Sequence, residues 1–350
     1  MTAPHPRVIL QKEAEKTPEN LSLFDRLRRK AAAANQRVLM PEFADARVMS
    51  AASFLARTGV ARPVLVGDPG EVREAAERLG CSLEGIGIDD LSPEERRACA
   101  ERLFERRRAK GLTMEGALSS MEDPLHRAAA MLRMGRGDGF VGGAVRSTAD
   151  TVRAALAQVG AADGARTVFG AMLMECPHAA GGTRRLMFAD AAVAPDPSPR
   201  ALSETAAEAA TFFAFLTGET PRIAFLSFST KGSAEDESAK AMREAAELAR
   251  KKHPGLAVDG ELQGDAALVD HIAAQKGVTD FSAAGRANVL IFPDLNSGNI
   301  AYKLVQHLGG ARAVGPALLG LAEPMCDLSR GCTDEDIVDA AAVVSLMAKE

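Results

Sequence analysis

The segment CDLSRGCTDEDIVDAAAVV, residues 326–344, carries side chains that could do chemistry. From Ser329 to Asp336 it places one serine, one arginine and three acids within eight residues. The planar guanidinium of Arg330 could bind two oxygens of a phosphate together. Thr333 and Asp336, however, have the Ser/Thr-x-x-Asp/Glu spacing of a capping box, in which the acid closes the first turn of a helix. The spacing alone favours the cap, and a chemical role for Asp336 is compatible with it.

Strand-like and helix-like segments alternate along the chain that must position these residues. Helical stretches such as residues 46–59 and 234–255 separate short apolar runs, and residues 167–193 suggest a hairpin or an edge pair. This alternation predicts an α/β fold. The other β-like runs are residues 37–42, 63–68, 139–145, 222–229 and 288–294.

The length of the chain predicts two domains. Its 350 residues, 47% of them hydrophobic, exceed the roughly 250 to 300 residues at which a single core stops growing. Residues 160–166, GAADGAR, are small and polar and fit neither the helix-like nor the strand-like spacing of apolar residues. We therefore expect the chain to cross between domains there. The final helix needs a partner to pack against, so we expect the chain to return to the first domain near Leu318. The predicted division is a discontinuous domain I, residues 1–161 with 318–350, and a domain II, residues 162–317, which is expected to dimerise.

Composition narrows the classes of function. Lys and Arg total 42 against 47 Asp and Glu, a net charge of -5, which disfavours nucleic-acid binding. We expect a cytoplasmic protein that does not bind a membrane, because no signal-peptide pattern and no run of about 18 apolar residues occurs. The five cysteines show no metal-ligand spacing, so reduced thiols and no metal site are expected.

Four joints between a strand and a helix carry small polar residues. Ligands in open α/β sheets bind at the carboxyl ends of strands, where loop amides and helix N-termini point at the bound group. None of the four matches the motif of a nucleoside triphosphate or a dinucleotide site. The joints are residues 142–156, 226–240, 292–306 and 326–344.

These joints resemble motifs of the phosphate acetyltransferase, or phosphotransacetylase, family. The resemblance implies reversible transfer of an acetyl group between coenzyme A and inorganic phosphate, with coenzyme A as a substrate and no permanently bound cofactor. It also implies two three-layer αβα domains like those of isocitrate and isopropylmalate dehydrogenases, an interdomain cleft and a homodimer. The motifs occur in the expected order as VGGAVRSTADTVR, LSFSTKGSA, DGELQGDAA, FPDLNSGNIAYKLVQ and GPALLGLAEPMCDLSRGCTDEDIV.

The resemblance also implies catalytic roles. Asp336 would be the general base for the thiol of coenzyme A, whose pKa should lie near the value of about 8.5 of a free cysteine. Such a base contributes roughly 100- to 10,000-fold. Arg330 would hold the phosphoryl group, and Ser329 would donate to the carbonyl oxygen as it gains charge, a contribution of about 3 kcal/mol. No histidine or lysine stands beside Ser329, so we expect direct attack of the thiolate in a ternary complex.

Further residues are expected to bind substrate. For Arg153 a solvent-exposed helix face is the alternative, and for Ser147 an N-cap. Ala191 and Ala194 depart from the family pattern, where a cysteine and an asparagine are common. The substrate-binding set that the resemblance implies is Arg107, Arg153, Ser147, Thr148, Asn296, Ser229 and Thr230.

Two other functions stay open at this point. One is a non-catalytic domain that senses acetyl coenzyme A, and the other is a transferase that prefers propionyl or butyryl groups. A metal-dependent dehydrogenase activity is disfavoured, because the sequence shows no metal-binding aspartate cluster.

Overall fold

The structure is a computed structural model that describes residues 21–178, 181–279 and 282–348. Its contacts divide the chain into two compact units. Unit 1 holds the residues up to Gly160 and from Leu321 onward, and unit 2 runs from Ala161 to Gly320. Within the described ranges, no helix is both long enough and apolar enough to cross a membrane.

Helices and strands alternate through most of the described chain, as the sequence pattern predicted. A turn of π-helix, Ala155–Val159, directly continues α7. The elements are α1 (Leu23–Ala34), β1 (Arg37–Met40), α2 (Ala46–Thr58), β2 (Arg62–Val66), α3 (Pro69–Leu79), β3 (Gly87–Asp89), α4 (Pro93–Arg107), α5 (Met114–Ser120), α6 (Pro124–Arg133), β4 (Gly139–Gly142), α7 (Thr148–Ala154), β5 (Phe169–Pro177), β6 (Thr183–Ala189), α8 (Pro199–Thr217), β7 (Arg222–Leu226), α9 (Glu237–Lys252), β8 (Ala257–Leu262), α10 (Gly264–Leu268), α11 (Asp270–Gln275), β9 (Val289–Ile291), α12 (Leu295–His307), β10 (Arg312–Leu319), β11 (Met325–Asp327) and α13 (Asp334–Met347).

The strands of unit 1 form a parallel sheet in the order β3, β2, β1, β4, β11. Because neighbouring parallel strands end at the same edge of a sheet, the loops after β1, β4 and β11 lie together. These loops carry Glu42, residues 143–147 and residues 328–333.

Helix α13 is the central helix of unit 1. Its residues 337–346 are all buried, which explains why the sequence turns apolar after Asp336. The helix packs directly on β4, since a Cβ added at Gly139 would lie 2.1 Å from Val344. The buried carboxylate of Asp339 on this helix accepts a hydrogen bond of 2.6 Å from the buried guanidinium of Arg28. A charge buried this deeply requires such a partner.

Unit 2 contains a mixed sheet in the order β10, β5, β6, β9, β7, β8. Strand β5 is antiparallel to both β10 and β6, and the remaining pairs are parallel. The pairing of β5 with β6 confirms the hairpin predicted for residues 167–193. In α9 the acid Glu237 lies in the first turn and three bases lie in the last, an arrangement that the helix dipole favours.

Candidate active site

The segment that follows β11 forms an exposed loop and then the start of α13. Ser329 and Arg330 are exposed in this loop, and Thr333 is the N-cap of the helix. The amide of Asp336 donates to Oγ1 of Thr333 at 3.1 Å, and the amide of Thr333 donates to Oδ2 of Asp336 at 2.8 Å. The capping box predicted from the spacing is therefore confirmed.

The cap leaves functional groups of this loop available. In the part of the chain that the structure describes, neither Oδ1 of Asp336 nor the guanidinium of Arg330 has a hydrogen-bond or ion-pair partner. Oγ of Ser329 accepts a hydrogen bond of 3.3 Å from the amide of Gly331, so its own proton is free to be donated. A carboxylate oxygen, a cation and a hydroxyl donor thus lie at one helix N-terminus, where the helix dipole favours an anion.

The loop after β4 leads into α7 and carries Ser147 and Thr148. Ser147 is the N-cap of α7: the amide of Asp150 donates to its Oγ at 3.2 Å, and that Oγ donates to Asp150 at 2.7 Å. The N-cap alternative stated for Ser147 is therefore present in the structure. Thr148 is the first residue of the same helix.

A buried carboxyl group that the sequence analysis missed lies between the two loops. Asp327 is the last residue of β11 and is 0% exposed, and the backbone of Gly143 passes directly over it. A Cβ at Gly143 would lie 2.3 Å from Oδ1 of Asp327, and φ of Gly143 is +103°, so only glycine fits there. Burial raises the pKa of Asp327 to about 7, although the hydroxyls of Thr148 and Thr151 and the amide of Leu328 oppose the rise. Among the described residues, none makes a hydrogen bond of ordinary geometry to either carboxyl oxygen of Asp327.

Asp327→Asn is expected to make the stability of the protein less sensitive to a rise in pH from the acidic to the neutral range. The folded-state pKa is raised, so the folded chain holds a proton that the unfolded chain releases, and wild-type stability falls as the pH rises from about 4 toward 7. Asparagine removes this loss. The melting temperature of the variant minus that of the wild type should increase by about 3 °C between pH 5.5 and pH 8, which corresponds to about 2 kcal/mol for a chain of 350 residues.

The comparison is made as a difference between two chains, so the other titrating groups cancel to first order. A temperature difference that stays constant across this pH range would contradict the raised pKa of Asp327.

The two predicted arginine contacts lie elsewhere in unit 1. Arg107, at the end of α4, donates a hydrogen bond of 2.5 Å to the carbonyl oxygen of Leu156 in the π-helical turn. Arg153 lies on α7, where its side chain is 65% exposed and forms a 2.7 Å ion pair with Asp150. Arg107 and Ser147 thus contact opposite ends of one helical segment, roughly 13 Å apart along its axis. Substrate contacts by either arginine stay a prediction.

The three predicted residues of unit 2 lie at one edge of its sheet. Ser229 and Thr230 follow β7 and Asn296 opens α12 after β9, and β7 and β9 are parallel neighbours. The hydroxyl of Ser229 donates to Glu261 at 2.9 Å, and that of Thr230 donates to Gln263 at 3.2 Å. These two hydroxyls therefore hold their own loop in place, whereas Asn296 is exposed.

Buried acids organise this loop of unit 2. Burial raises the pKa of Glu261, but hydrogen bonds from Arg243, the amide of Gly232 and Ser229 outweigh it and lower the pKa to about 2. Asp259, two residues earlier on β8, pairs with Lys231 and with Arg250. The sequence analysis did not predict β8 as a strand, because these acids interrupt its apolar pattern.

Cysteines and metal-ligand groups add no further site. The five cysteines are free thiols. Cys332, between Arg330 and Thr333, is buried, and this burial raises its pKa to about 12, which makes it a poor nucleophile. In residues 21–178, 181–279 and 282–348, no group of His, Cys, Asp and Glu side chains is arranged to hold a metal ion.

Comparison with known proteins gives consistent matches over nearly the whole chain. A family model described as "Phosphate acetyl/butaryl transferase" matches residues 22–345. The chain is 41% identical over 331 residues to a phosphate acetyltransferase of Acetivibrio thermocellus, covering 94% of this chain and 99% of that protein. It is 42% identical over 330 residues to a phosphate acetyltransferase of Thermoanaerobacterium thermosaccharolyticum, covering 94% and 100%. The crystal structure of a phosphotransacetylase from Streptococcus pyogenes superposes with a TM-score of 0.82 at 38% identity, covering 95% of this chain and 99% of that one.

Proposed function

We propose, from the premise that this chain belongs to the phosphate acetyl/butaryl transferase family, that it transfers an acetyl group reversibly between coenzyme A and inorganic phosphate. One observation carries the assignment to a site. At the N-terminus of α13, the hydroxyl proton of Ser329, the guanidinium of Arg330 and Oδ1 of Asp336 have no partner among the residues that the structure describes. These are the groups that a thiol, a carbonyl oxygen and a phosphate would require.

The proposed mechanism is direct attack of the thiolate. Oδ1 of Asp336 accepts the proton of the coenzyme A thiol, and the sulfur forms a bond to the carbonyl carbon of acetyl phosphate. The carbonyl oxygen gains charge and accepts a hydrogen bond from Ser329. The bond from carbon to the phosphate oxygen then breaks, and phosphate leaves in contact with Arg330. In the reverse direction phosphate attacks the thioester, and the protonated Asp336 returns its proton to the sulfur.

Finer features of the protein are proposed on the same premise. We propose that units 1 and 2 are the two domains of an architecture like that of isocitrate and isopropylmalate dehydrogenases. Coenzyme A then acts as a substrate and no cofactor is held permanently. The free cysteines favour the cytoplasm. The substrate-binding roles assigned to Arg107, Arg153, Ser147, Thr148, Asn296, Ser229 and Thr230 belong to this proposal.

A thiol-release assay tests the proposed activity. The purified protein is mixed with phosphate and with acetyl, propionyl or butyryl coenzyme A, and the free thiol is measured over time. We expect the wild-type protein to release coenzyme A from the thioesters, and to release it fastest from acetyl coenzyme A. Binding of acetyl coenzyme A without release would support a sensor instead, and faster release from the butyryl thioester would support a butyryl transferase.

An apolar stripe that runs along α12 to its C-cap residue, Leu308, supports the proposed homodimer. Ile300, Leu304 and Leu308 recur every four residues, so they share one helix face, and they are 57%, 52% and 83% exposed. Contiguous exposed apolar side chains of this kind are typical of protein interfaces. A second copy of the chain would cover them.

Leu304→Glu is expected to convert the dimer into a monomer. It places a charge at the centre of the stripe, where burial without a partner costs several kcal/mol and weakens association by at least about 100-fold. Sedimentation velocity measures the change. Gln306→Glu, on the opposite side of α12 by the helical period, is the matched control and should leave the dimer intact. A dimer that survives Leu304→Glu would place the interface elsewhere.

A further inference from the structure

The loop between β4 and α7 is built around a carboxylate from another strand. Glu42, which directly follows Pro41 after β1, accepts hydrogen bonds from the backbone amides of Gly143, Ala144, Val145 and Arg146. Oε2 takes the first two at 2.8 Å, and Oε1 takes the last two at 3.0 Å. Successive amides that point at one centre form an anion-binding nest. In this protein the anion of the nest is a side chain of the chain itself.

Arg47, five residues later, holds the carbonyl side of the same loop. Its Nη2 donates to the carbonyl oxygen of Ala144 at 2.8 Å. Its Nη1 donates to the carbonyl oxygens of Arg330 at 2.8 Å and of Cys332 at 2.9 Å. Asp45, the N-cap of α2, forms an ion pair of 2.9 Å with Arg47 and thereby fixes the orientation of the guanidinium.

Together these contacts join the loop of residues 143–147 to the loop of residues 328–333. Among the described residues, no other side chain forms hydrogen bonds to the backbone of both loops. Glu42 fixes the amides of residues 143–146 just before Ser147, and Arg47 fixes Ala144 to the backbone of Arg330 and Cys332. Ser329 and Arg330 otherwise sit in an exposed loop with few internal contacts. Their placement relative to α7 therefore depends on a segment that contains no proposed catalytic residue.

We propose that Glu42 and Arg47 are positioning residues for the transferase reaction, which set the separation of the Ser147 and Ser329–Arg330 loops. The inference rests on the proposed function for its kinetic consequence and on geometry alone for its structural one. The consequence for rate is large, because a misplacement of about 1 Å in an active site can cost about 100-fold. The amides of residues 143–146 are also occupied by Glu42, so bound phosphate must be held by other groups.

The test removes the carboxylate and then returns one. Glu42→Ala should lower kcat for thiol release about 100-fold and change KM by less, because the loops carry groups that act in the transition state. Formate at about 100 mM should raise kcat of this variant at least tenfold, since formate can occupy the vacated nest. It should leave kcat of the wild type unchanged. Glu77→Ala, the same change at an exposed position on α3, is the control and should keep wild-type kinetics.

Hydrogen exchange gives a readout that does not require activity. The amides of residues 143–146 should exchange at least tenfold faster in Glu42→Ala than in the wild type, and formate should slow them again. Glu42→Gln keeps the shape of the side chain and tests the same point should the alanine variant unfold, because its amide nitrogen opposes two of the four donors. Faster exchange together with an inactive wild type would reject the proposed function and retain the positioning role.

Arg47→Lys tests the other half of the proposal. Lysine keeps the charge but lacks the fork that reaches three carbonyl oxygens, so kcat should fall at least tenfold with the melting temperature nearly unchanged. Arg57→Lys, exposed on α2, is its control. Wild-type kinetics in both Glu42→Gln and Arg47→Lys, or a loss of rate that only follows the unfolded fraction and shows no rescue by formate, would overturn the proposal.

Discussion

Arg330→Ala is expected to lower kcat/KM for acetyl phosphate about 100- to 1,000-fold while the protein stays folded. The substrate is a dianion near neutral pH, and two charge-assisted hydrogen bonds from one guanidinium account for about 3 to 4 kcal/mol. The side chain is exposed and has no partner among the described residues, so its removal leaves the packing of unit 1 intact. Initial rates of coenzyme A acetylation at varied acetyl phosphate concentration measure the effect.

Two further variants make this prediction specific. Arg330→Lys keeps the charge without the planar fork and should recover only part of the rate. Arg73→Ala, an exposed arginine on α3, should behave as the wild type. An unchanged kcat/KM in Arg330→Ala would show that the phosphoryl group is held elsewhere.

Asp336→Asn is expected to lower kcat by about 100- to 10,000-fold, the contribution of a general base. The substitution preserves the shape of the side chain, and the amide oxygen can still accept the hydrogen bond from Thr333 that now goes to Oδ2. Capping should therefore survive while proton transfer is lost. The quantity to measure is kcat at saturating concentrations of both substrates, together with the melting temperature.

Thr333→Val is the matched control for the capping role of Asp336. It removes the oxygen that accepts from the amide of Asp336 but leaves the carboxylate in place. We expect it to cost about 1 kcal/mol of stability with kcat nearly unchanged. If Asp336→Asn instead loses stability and keeps its rate, Asp336 is a cap and the base must be sought elsewhere.

Local patterns in the sequence were sufficient for much of the fold. The apolar runs that form β1, β2, β4, β7 and β9 are short and bounded by polar or small residues, a pattern that is typical of buried parallel strands. The caps at Ser147 and Thr333 could be predicted because both partners of each lie within four residues. A local spacing predicts a local hydrogen bond.

Long-range polar contacts could not be predicted in this way. Glu42 lies about 100 positions before the amides whose hydrogen bonds it accepts, and Arg47 lies more than 280 positions before Arg330. Asp327 reads as one more loop acid, and only the close approach of Gly143 shows that it is buried. Strand β8 was missed for a related reason, since its buried acids depend on Lys231, Arg243 and Arg250 from other segments.

The discontinuity of unit 1 has a consequence for how the protein is made. Strand β11 and helix α13 follow the whole of unit 2 in the chain, so they leave the ribosome after unit 2. Until they arrive, the edge of β4 and the surface that α13 covers have no partner, and this apolar surface is open to aggregation. The same segment brings Ser329, Arg330 and Asp336. On the proposed assignment, a nascent chain is inactive until β11 and α13 have joined unit 1, and the appearance of activity reports that unit 1 is complete.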